Sequence, residues 1–547
     1  MRRSMYLVLC IAALVAVVAG VPAAAAPLPS DGAIVARITT RSRAEVEQLA
    51  TLGLDLLEFR SNDDLFIITT ATEMEQLRAD GWQINIDNGQ TALLQRAQTA
   101  ATNGVGTSSF NGGYRTAAEI ASTLRDRAAR YPQIAEVFEY GRSYLNTPLL
   151  GMTLTNQEIA GPKPTLVIVA GVHAREITPP EIALRFVDDL LARYATDADA
   201  AWLLDEHQIV VVPLANPDGY RWVEQGYYQR KNGHRVGTGC ADPPHPSNHY
   251  GVDINRNSSW QWGSVIGPSI GACSVLYPGD GPASEPETVA LETLVRSLIP
   301  DQRVTGAAAP PTTTGMLLTL HSYGNLVIWP WGYTAAAAPN SADLARIGGK
   351  LANYNGSFPQ QANAMYPMSG TTDDWSYGEL GIPSYTFEIG LDSGVCGGFM
   401  PPYSCLDGGT GGSFWSQNKP ALMYAARIVS TPYLLARGPA PEGTTARGRT
   451  ITAVLDDVAN GGQAVVAAEY FVDLPPWRGG TGKPLQPADG VWNSARETAT
   501  GTVDVPFGPH KVYVRGRDGA GNWGPVQAVS VHGGTATEYV WVPFAVH

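Results

Sequence analysis

The sequence predicts a central α/β domain with a small α+β unit before it and an all-β unit after it. Three patterns predict this: alternating helix caps and apolar runs near the start, buried apolar runs separated by helical stretches in the middle, and short strands with glycine-rich turns at the end. The chain has 547 residues, of which 44% are hydrophobic and 16% charged. This length and balance can supply several hydrophobic cores.

The first unit, residues 27–89, has the element order β-α-β-β-α-β. Its two helices are expected to begin at the capping boxes Ser42–Glu45 and Thr72–Glu75, and to end at Gly53 and Gly81. Strands are expected at Ile34–Ile38, Leu54–Phe59, Leu65–Thr69 and Trp82–Ile86. This order is that of a ferredoxin-like open sandwich. Residues 90–113 are polar and small without a period, which predicts an exposed linker of the kind that proteases cut.

The largest unit, residues 114–431, carries apolar runs typical of buried strands. They lie at Thr165–Ala170, Ile209–Leu214, Met316–Leu320 and Tyr385–Phe387, with helical stretches such as Glu119–Arg130 between strands. The alternation predicts a central mixed, mostly parallel sheet flanked by helices.

The last part of the chain changes character. Residues 432–448 are rich in proline and glycine and predict a second linker. In residues 449–547, strands are expected at Thr450–Leu455, Ala464–Val472 and Lys511–Arg515, which suits a small β-sandwich. "VRGRDGAGNWG" resembles segments of immunoglobulin-like or fibronectin-like modules. Such a module serves either as a spacer or secretion appendage, or as a binding module.

The amino-terminal residues predict export. Arg2 and Arg3 precede an apolar run from Met5 to Ala19 and a region of small residues, so residues 1–26 are expected to be a signal peptide. A short membrane anchor is the alternative. The net charge of −13 argues against binding to nucleic acid or anionic membranes.

Four cysteines remain beyond the predicted signal peptide: Cys240, Cys273, Cys396 and Cys405. An even number in an exported chain favours disulfides. Of three connectivities, local pairing of Cys240 with Cys273 and Cys396 with Cys405 is the simplest. Four free thiols are the alternative.

His173 and Glu176 form a pair that can coordinate a metal from one turn. Both residue types bind zinc, but a glutamate at a helix start is also favoured by the helix dipole alone. His321 and Glu388 each follow a predicted strand, as His173 does. In open α/β sheets ligands bind beyond the carboxyl ends of strands. We therefore expect these side chains to form one zinc site, with His321 as the third ligand.

Seven motifs occur in an order that resembles one family. They are "GVHAREITPPE", "NPDGY", "GVDINRN", "YPGDGPASEPET", "HSYG", "SGTTDDWSYG" and "TFEIG". Between Tyr114 and about Ser430 the chain resembles the zinc metallocarboxypeptidases of the carboxypeptidase A/B type, in the form of a secreted bacterial-like member. The first unit resembles the inhibitory propeptide of that family.

The resemblance implies a role for each candidate residue. His173, Glu176 and His321 would hold one catalytic Zn²⁺, and Glu388 would be the general base and acid that activates the zinc-bound water and protonates the leaving amine. The family often has an Arg-Lys-x-Arg run that supplies an arginine to the oxyanion. Here the run keeps Arg230 but ends in Gly233, so either Arg230 or Arg235 is expected to serve the oxyanion.

The remaining matches concern the substrate. Asn255 and Arg256 would grip its terminal carboxylate, Tyr366 would close over it, and Arg175 would lie on its path. Asp373 would form the base of the specificity pocket, which predicts a preference for basic carboxy-terminal residues or a mixed preference, with Met368 as an adaptable apolar wall.

The sequence therefore predicts a secreted zinc carboxypeptidase made as a zymogen. Its expected partners are peptides with a free carboxy terminus and an activating protease. Neither nucleic acid nor, once the signal is removed, a membrane is expected as a partner, and we expect a monomer. Two alternatives remain: a non-catalytic binding protein on the same fold, and an amidase acting on peptidoglycan stem peptides.

Overall fold

The structure is a computed structural model that describes residues 32–103, 109–408 and 413–534. The predicted signal peptide lies outside these residues.

The amino-terminal unit is a four-stranded antiparallel sheet with two helices. Its elements are β1 Ile34–Thr39, α1 Arg43–Ala50, β2 Asp55–Ser61, β3 Asp64–Thr69, α2 Ala71–Ala79 and β4 Ile84–Ile86. The strand order β2-β3-β1-β4 is antiparallel throughout, which confirms the predicted element order. Ser42 caps α1 as expected, because its side chain accepts from the Glu45 N–H.

The second capping box was placed two residues too late. Helix α2 is capped by Thr70, whose side chain accepts from the Glu73 N–H. Thr70 to Glu73 and Thr72 to Glu75 both fit the pattern, and the end of β3 at Thr69 decides between them because it leaves Thr70 extended.

The expected irregular linker at 90–113 contains regular structure. It begins within helix α3 (Asn88–Asn103), includes β5 (Ser109–Phe110) and ends just before β6 (Tyr114–Arg115), with which β5 pairs. The Val35 N–H donates to Thr91 Oγ1, and Leu94 is buried. These contacts with distant residues order a stretch whose own sequence shows no helical period.

The central domain has a mixed eight-stranded sheet with helices around it. Its elements are α4 Ala117–Arg130, β7 Ala135–Arg142, β8 Pro148–Leu154, β9 Thr165–Ala170, α5 Thr178–Arg193, α6 Ala198–Glu206, β10 Gln208–Val212, α7 Pro217–Glu224, α8 Pro286–Leu298, β11 Met316–His321, β12 Leu326–Trp329, α9 Ser341–Asn355, β13 Phe358–Gln361, α10 Thr372–Leu380, β14 Ser384–Glu388, α11 Phe414–Ile428 and α12 Pro432–Leu435. The strand order is β13-β12-β14-β11-β9-β10-β8-β7.

The centre of this sheet aligns the carboxyl ends of three strands. Strands β9, β11 and β14 are parallel neighbours, and β10 joins β9 in the same direction. Side chains that end these strands or follow them therefore meet at one edge. His321 and Glu388 are the last residues of β11 and β14, and they are register partners. The antiparallel strands β7, β8 and β12 make the sheet mixed.

The carboxy-terminal unit is an antiparallel seven-stranded sheet folded on itself. Its strands are β15 Ala440–Arg447, β16 Thr450–Asp456, β17 Val465–Val472, β18 Lys483–Pro487, β19 Arg496–Thr502, β20 Gly508–Asp518 and β21 Gln527–Gly533, in the order β15-β16-β19-β18-β17-β20-β21. Side chains from β16 and β19 share a core with those from β17 and β20, so two layers face each other. We call residues 440–533 the sandwich.

The second linker prediction is corrected in the same region. Residues 432–448 contain α12 and the whole of β15, which pairs with β16. Residues 444–447 alternate between half-buried and exposed, as in a strand with one covered face. The proline and glycine content of the stretch had indicated a linker instead.

Both predicted disulfides are present. Cys240 pairs with Cys273 and Cys396 with Cys405, at Cα–Cα distances of 5.0 and 5.8 Å. Within the described residues, no helix has the length and apolar character needed to cross a membrane.

Candidate metal and catalytic centre

Three predicted ligands converge at the carboxyl edge of the central sheet. His173 Nδ1 lies 2.6 Å from Glu176 Oε1, and His321 Nδ1 lies 3.0 Å from Glu176 Oε2. The two imidazole Nδ1 atoms are 3.1 Å apart, and all three residues are buried. Strand β9 delivers the first two through a short loop before α5, and β11 delivers the third at its last residue.

The chemistry of this donor set fits zinc. Two imidazole nitrogens and one carboxylate, with all ligand atoms within 4.8 Å of one another, match a catalytic zinc site with three protein ligands. Such closely spaced buried acceptors are stabilised by a shared cation. In the described part of the chain, this is the one group of three or more His, Cys, Asp or Glu residues with metal-binding geometry.

A buried aspartate that sequence reasoning did not single out orients the first ligand. Asp253 Oδ1 lies 3.2 Å from His173 Nε2, and Asp253 Oδ2 accepts from Arg230 Nε at 3.0 Å. Burial alone would raise the pKa of Asp253, but Arg230 and His173 hold that pKa well below its usual range. A carboxylate on the outer nitrogen of a metal-binding histidine fixes the ring. The sequence feature that could have identified Asp253 is its position in the motif "GVDINRN".

Glu388 stands beside the three ligands without being one of them. It is buried, and its Oε2 has no hydrogen-bond partner among the described residues. Burial raises the pKa of the Glu388 carboxyl well above its usual range, and the nearby Glu58 and Glu176 carboxylates add to the rise. A carboxyl group whose pKa is raised in this way is suited to hold and return a proton.

The structure brings Arg230, and not Arg235, to the ligands. Arg230 is fully buried, the Ala174 N–H donates to its carbonyl at 3.1 Å, and its Nη2 lacks a partner in the described chain. Arg235 is 57% exposed and pairs with Asp242. A side chain at Gly233 would meet Asp218 and Leu145, so this end of the run faces those two residues.

Asn255 and Arg256 line one small cavity together with Glu388, and Tyr366 contacts Arg256. Arg256 donates from Nη1 to the Asn255 carbonyl at 2.8 Å and from Nη2 to the Tyr366 hydroxyl at 3.4 Å. Asn255 Oδ1 accepts from the Thr372 N–H. Arg256 Nε has no partner within the described residues, which leaves it available for an anion.

Asp373 lies in the same small cavity. Its Oδ1 accepts from the Asp374 N–H, whereas its Oδ2 is buried and unpartnered in the described part of the protein. Burial raises the pKa of Asp373 above its usual value. The cavity is also lined by Glu58, Asn255, Arg256, Met365, Met368 and Glu388.

Two acidic side chains from the amino-terminal unit occupy the approach to this centre. Asp55 forms a bidentate pair with Arg175, with distances of 2.6 and 2.8 Å, and neither side chain is exposed. Glu58 accepts from Arg230 Nη1 at 2.9 Å and lines the cavity of Asp373. Arg175, predicted as a substrate contact, is thus bound by the chain itself. No local sequence pattern marks these two acids as part of the site.

Comparisons with known proteins agree with this geometry. The sequence profile of the Peptidase_M14 family, described as zinc carboxypeptidase, matches residues 120–408. Carboxypeptidase O of Bos taurus is 30% identical over 299 residues, which are 53% of this chain and 73% of that protein. Zinc carboxypeptidase A 1 of Anopheles gambiae is 32% identical over 299 residues, 53% of this chain and 63% of the relative.

Solved structures share the fold. Carboxypeptidase A from Helicoverpa armigera superimposes with a TM-score of 0.59 at 19% identity, covering 74% of this chain and 98% of the other. The thrombin activatable fibrinolysis inhibitor gives 0.55 at 21% identity, covering 73% and 99%. The matched shares of this chain, 74% and 73%, are larger than the share that the central domain occupies.

Proposed function

Because the chain belongs to the zinc carboxypeptidase family, we propose that it is a secreted zymogen that removes carboxy-terminal residues from peptides, with a basic or mixed preference. The chain is a metallocarboxypeptidase hydrolase. The proposal rests on one observation. His173, Glu176 and His321 lie together at one edge of the sheet, and Glu388 lies beside them without being one of the candidate ligands. The test is zinc content together with turnover of peptides that differ only in their last residue.

The geometry of the side chains supports a role for each of them. Zinc, when bound by the three ligands, would polarise the scissile carbonyl and lower the pKa of water. Glu388 would take the proton of the attacking water at its free Oε2 and return it to the leaving amine. Arg230 would direct its free Nη2 at the negative charge that develops on the carbonyl oxygen.

The restriction to chain ends is assigned to Arg256. Its guanidinium can bind a terminal carboxylate, which an internal peptide bond does not offer. Asn255 and Tyr366 lie against it and would complete the carboxylate site. Intact ligands, base and carboxylate site together favour catalysis of ordinary peptide ends over a non-catalytic or peptidoglycan-directed role.

Secretion and activation are supported by separate features. Two disulfides are typical of exported chains, and residues 1–26 have the composition of a signal peptide. The contacts of Asp55 with Arg175 and of Glu58 with Arg230 support an inhibitory role for the amino-terminal unit. We accordingly expect peptide substrates with free carboxy termini, an activating protease and a monomeric enzyme.

The uncut chain is expected to have at most about one hundredth of the turnover of the trimmed chain, by which we mean the chain cut between Ile86 and Tyr114 and freed of the amino-terminal unit. Asp55 occupies Arg175, which is assigned to the substrate path, and leaving one charge of such a buried pair without its partner costs about 2–5 kcal/mol. Turnover before and after limited proteolysis is the measurement.

The uncut double variant Asp55→Asn with Glu58→Gln should recover part of that activity. The matched control is Asp63→Asn, at an exposed position of the β2–β3 turn. Equal activity of the cut and uncut wild-type chains would contradict the inhibitory role.

Asp373→Ala is expected to reduce kcat/KM for peptides ending in Lys or Arg by about 100-fold, because the variant lacks a buried counter-charge. Peptides ending in Phe serve as the internal control and should change by less than about threefold, since they make no charged contact. The ratio of kcat/KM values from a screen of last residues is the measurement. A preference for Phe that Asp373→Ala leaves unchanged would refute the basic or mixed preference.

A further inference from the structure

A lysine of the central domain is fully buried against the sandwich. The side chain of Lys350, in α9, has no solvent exposure. Its Nζ donates to Asp456 Oδ1 at 3.0 Å, to Glu442 Oε1 at 3.3 Å and to the Asp456 carbonyl at 3.4 Å. Both acids lie in the sandwich, in β15 and β16. The counter-charges of this buried ammonium therefore come from the carboxy-terminal unit.

The group is charge-balanced only when the two units are in contact. Arg496 of β19 pairs with Asp456 and lies 3.1 Å from Glu442, so two cations face two carboxylates. Burial would raise the pKa of Asp456, but Lys350 and Arg496 outweigh it and lower that pKa. Removing one side of a buried ion pair leaves an uncompensated charge, which is strongly destabilising.

Further buried polar contacts cross the same boundary. Asn460 Nδ2 donates to the Tyr424 hydroxyl at 3.1 Å and to the Ala436 carbonyl at 2.8 Å. The Ala528 N–H donates to Asp199 Oδ1 at 3.1 Å. The polar groups of Tyr424, Ala436 and Asp199 would need new partners if the sandwich were absent, because buried polar groups are normally paired.

The apolar core also continues across the boundary. Phe471, Tyr513 and Ala528 of the sandwich belong to the same buried cluster as Trp202 of α6. The rings of Trp202 and Tyr513 are 6.3 Å apart in an edge-on arrangement. The sandwich thus has two apolar surfaces, one for its own core and one that covers the central domain.

We propose that the sandwich is a fixed structural part of the catalytic unit, in which Glu442 and Asp456 neutralise the buried Lys350. It is a stabilising partner of α6, α9 and α11, and neither a detachable spacer nor an independent binding module. Its removal exposes the apolar surface around Trp202 and takes away both counter-charges of the Lys350 ammonium.

The test is the double variant Glu442→Gln with Asp456→Asn in the full chain. Hydrogen exchange of peptides from α9 and from the sandwich is followed with increasing urea. We expect both regions to lose protection together at a lower urea concentration, and the unfolding temperature to fall on the order of 5 °C. The control is Asp489→Asn with Asp504→Asn, two exposed acids of the sandwich, which should change neither readout.

Adding Lys350→Met to the double variant should restore at least half of the lost stability, because it removes the unpaired charge while keeping the apolar stem. If the double variant does not fold, recovery of soluble protein by this third change supports the proposal and failure to recover overturns it. The proposal is also overturned if α9 keeps its protection while the sandwich unfolds in a separate transition.

Discussion

Glu388→Gln, introduced into the trimmed chain, is expected to lower kcat by about 10³- to 10⁴-fold while zinc remains bound. The amide cannot take a proton from water, and the ligand set of His173, Glu176 and His321 is untouched. KM should change little, because Glu388 does not contact the carboxylate site through a hydrogen bond. Steady-state kinetics and metal analysis of the same sample are the measurements.

The matched control for this variant is Glu379→Gln. Glu379 is a half-exposed carboxylate in α10 that pairs with Arg296 at the surface. It should retain full turnover. Turnover of Glu388→Gln within tenfold of the unmodified enzyme would exclude this residue as the base, and loss of zinc would instead indicate that it holds the metal site together.

Arg230→Met in the trimmed chain is expected to reduce kcat by about 10²- to 10³-fold, the usual effect of removing one donor to an oxyanion. Its buried Nη2 has no partner among the described residues and is the donor that we assign to the scissile carbonyl oxygen. Its Nε donates to Asp253. Arg235→Met should leave kcat unchanged, since Arg235 is exposed and pairs with Asp242. Comparing the two variants tests which arginine serves the oxyanion, a question that the sequence left open.

A second readout distinguishes transition-state stabilisation from support of the metal. Arg230 and His173 share Asp253, so a purely positioning role would weaken zinc binding. Zinc affinity is measured by competition with a chelator. Unchanged affinity with reduced kcat supports the oxyanion role, whereas a loss of zinc with normal kcat at saturating metal contradicts it.

The sequence was informative where chemistry follows from local pattern. His173 and Glu176 are three positions apart, and His321 and Glu388 end or follow apolar runs that form strands of the same sheet. A residue at the end of a strand lies at a known edge of the sheet, so the candidate metal centre could be predicted without a structure. The two disulfides join cysteines that are close along the chain, with separations of 33 and 9 residues.

Sequence reasoning failed where long-range contacts override local preference. Helix α3 begins in a polar stretch without a period, and it is ordered by contacts such as that of Thr91 with Val35, 56 residues away. Strand β15 lies in a proline- and glycine-rich stretch, and its pairing with β16 decides its conformation. In both places the contacts that order the backbone come from another element.

The sequence by itself predicted the three candidate metal ligands, the candidate base and the family, because these depend on residue types at fixed positions around strand ends. Only the tertiary structure showed which arginine lies beside the candidate ligands, which acids contact Arg175 and Arg230, and how the sandwich contacts the central domain. Arg230 meets Glu58 across 172 positions and Lys350 meets Asp456 across 106. Pairing of charges so far apart leaves no local pattern, since burial creates the need for a partner only after the domains have docked.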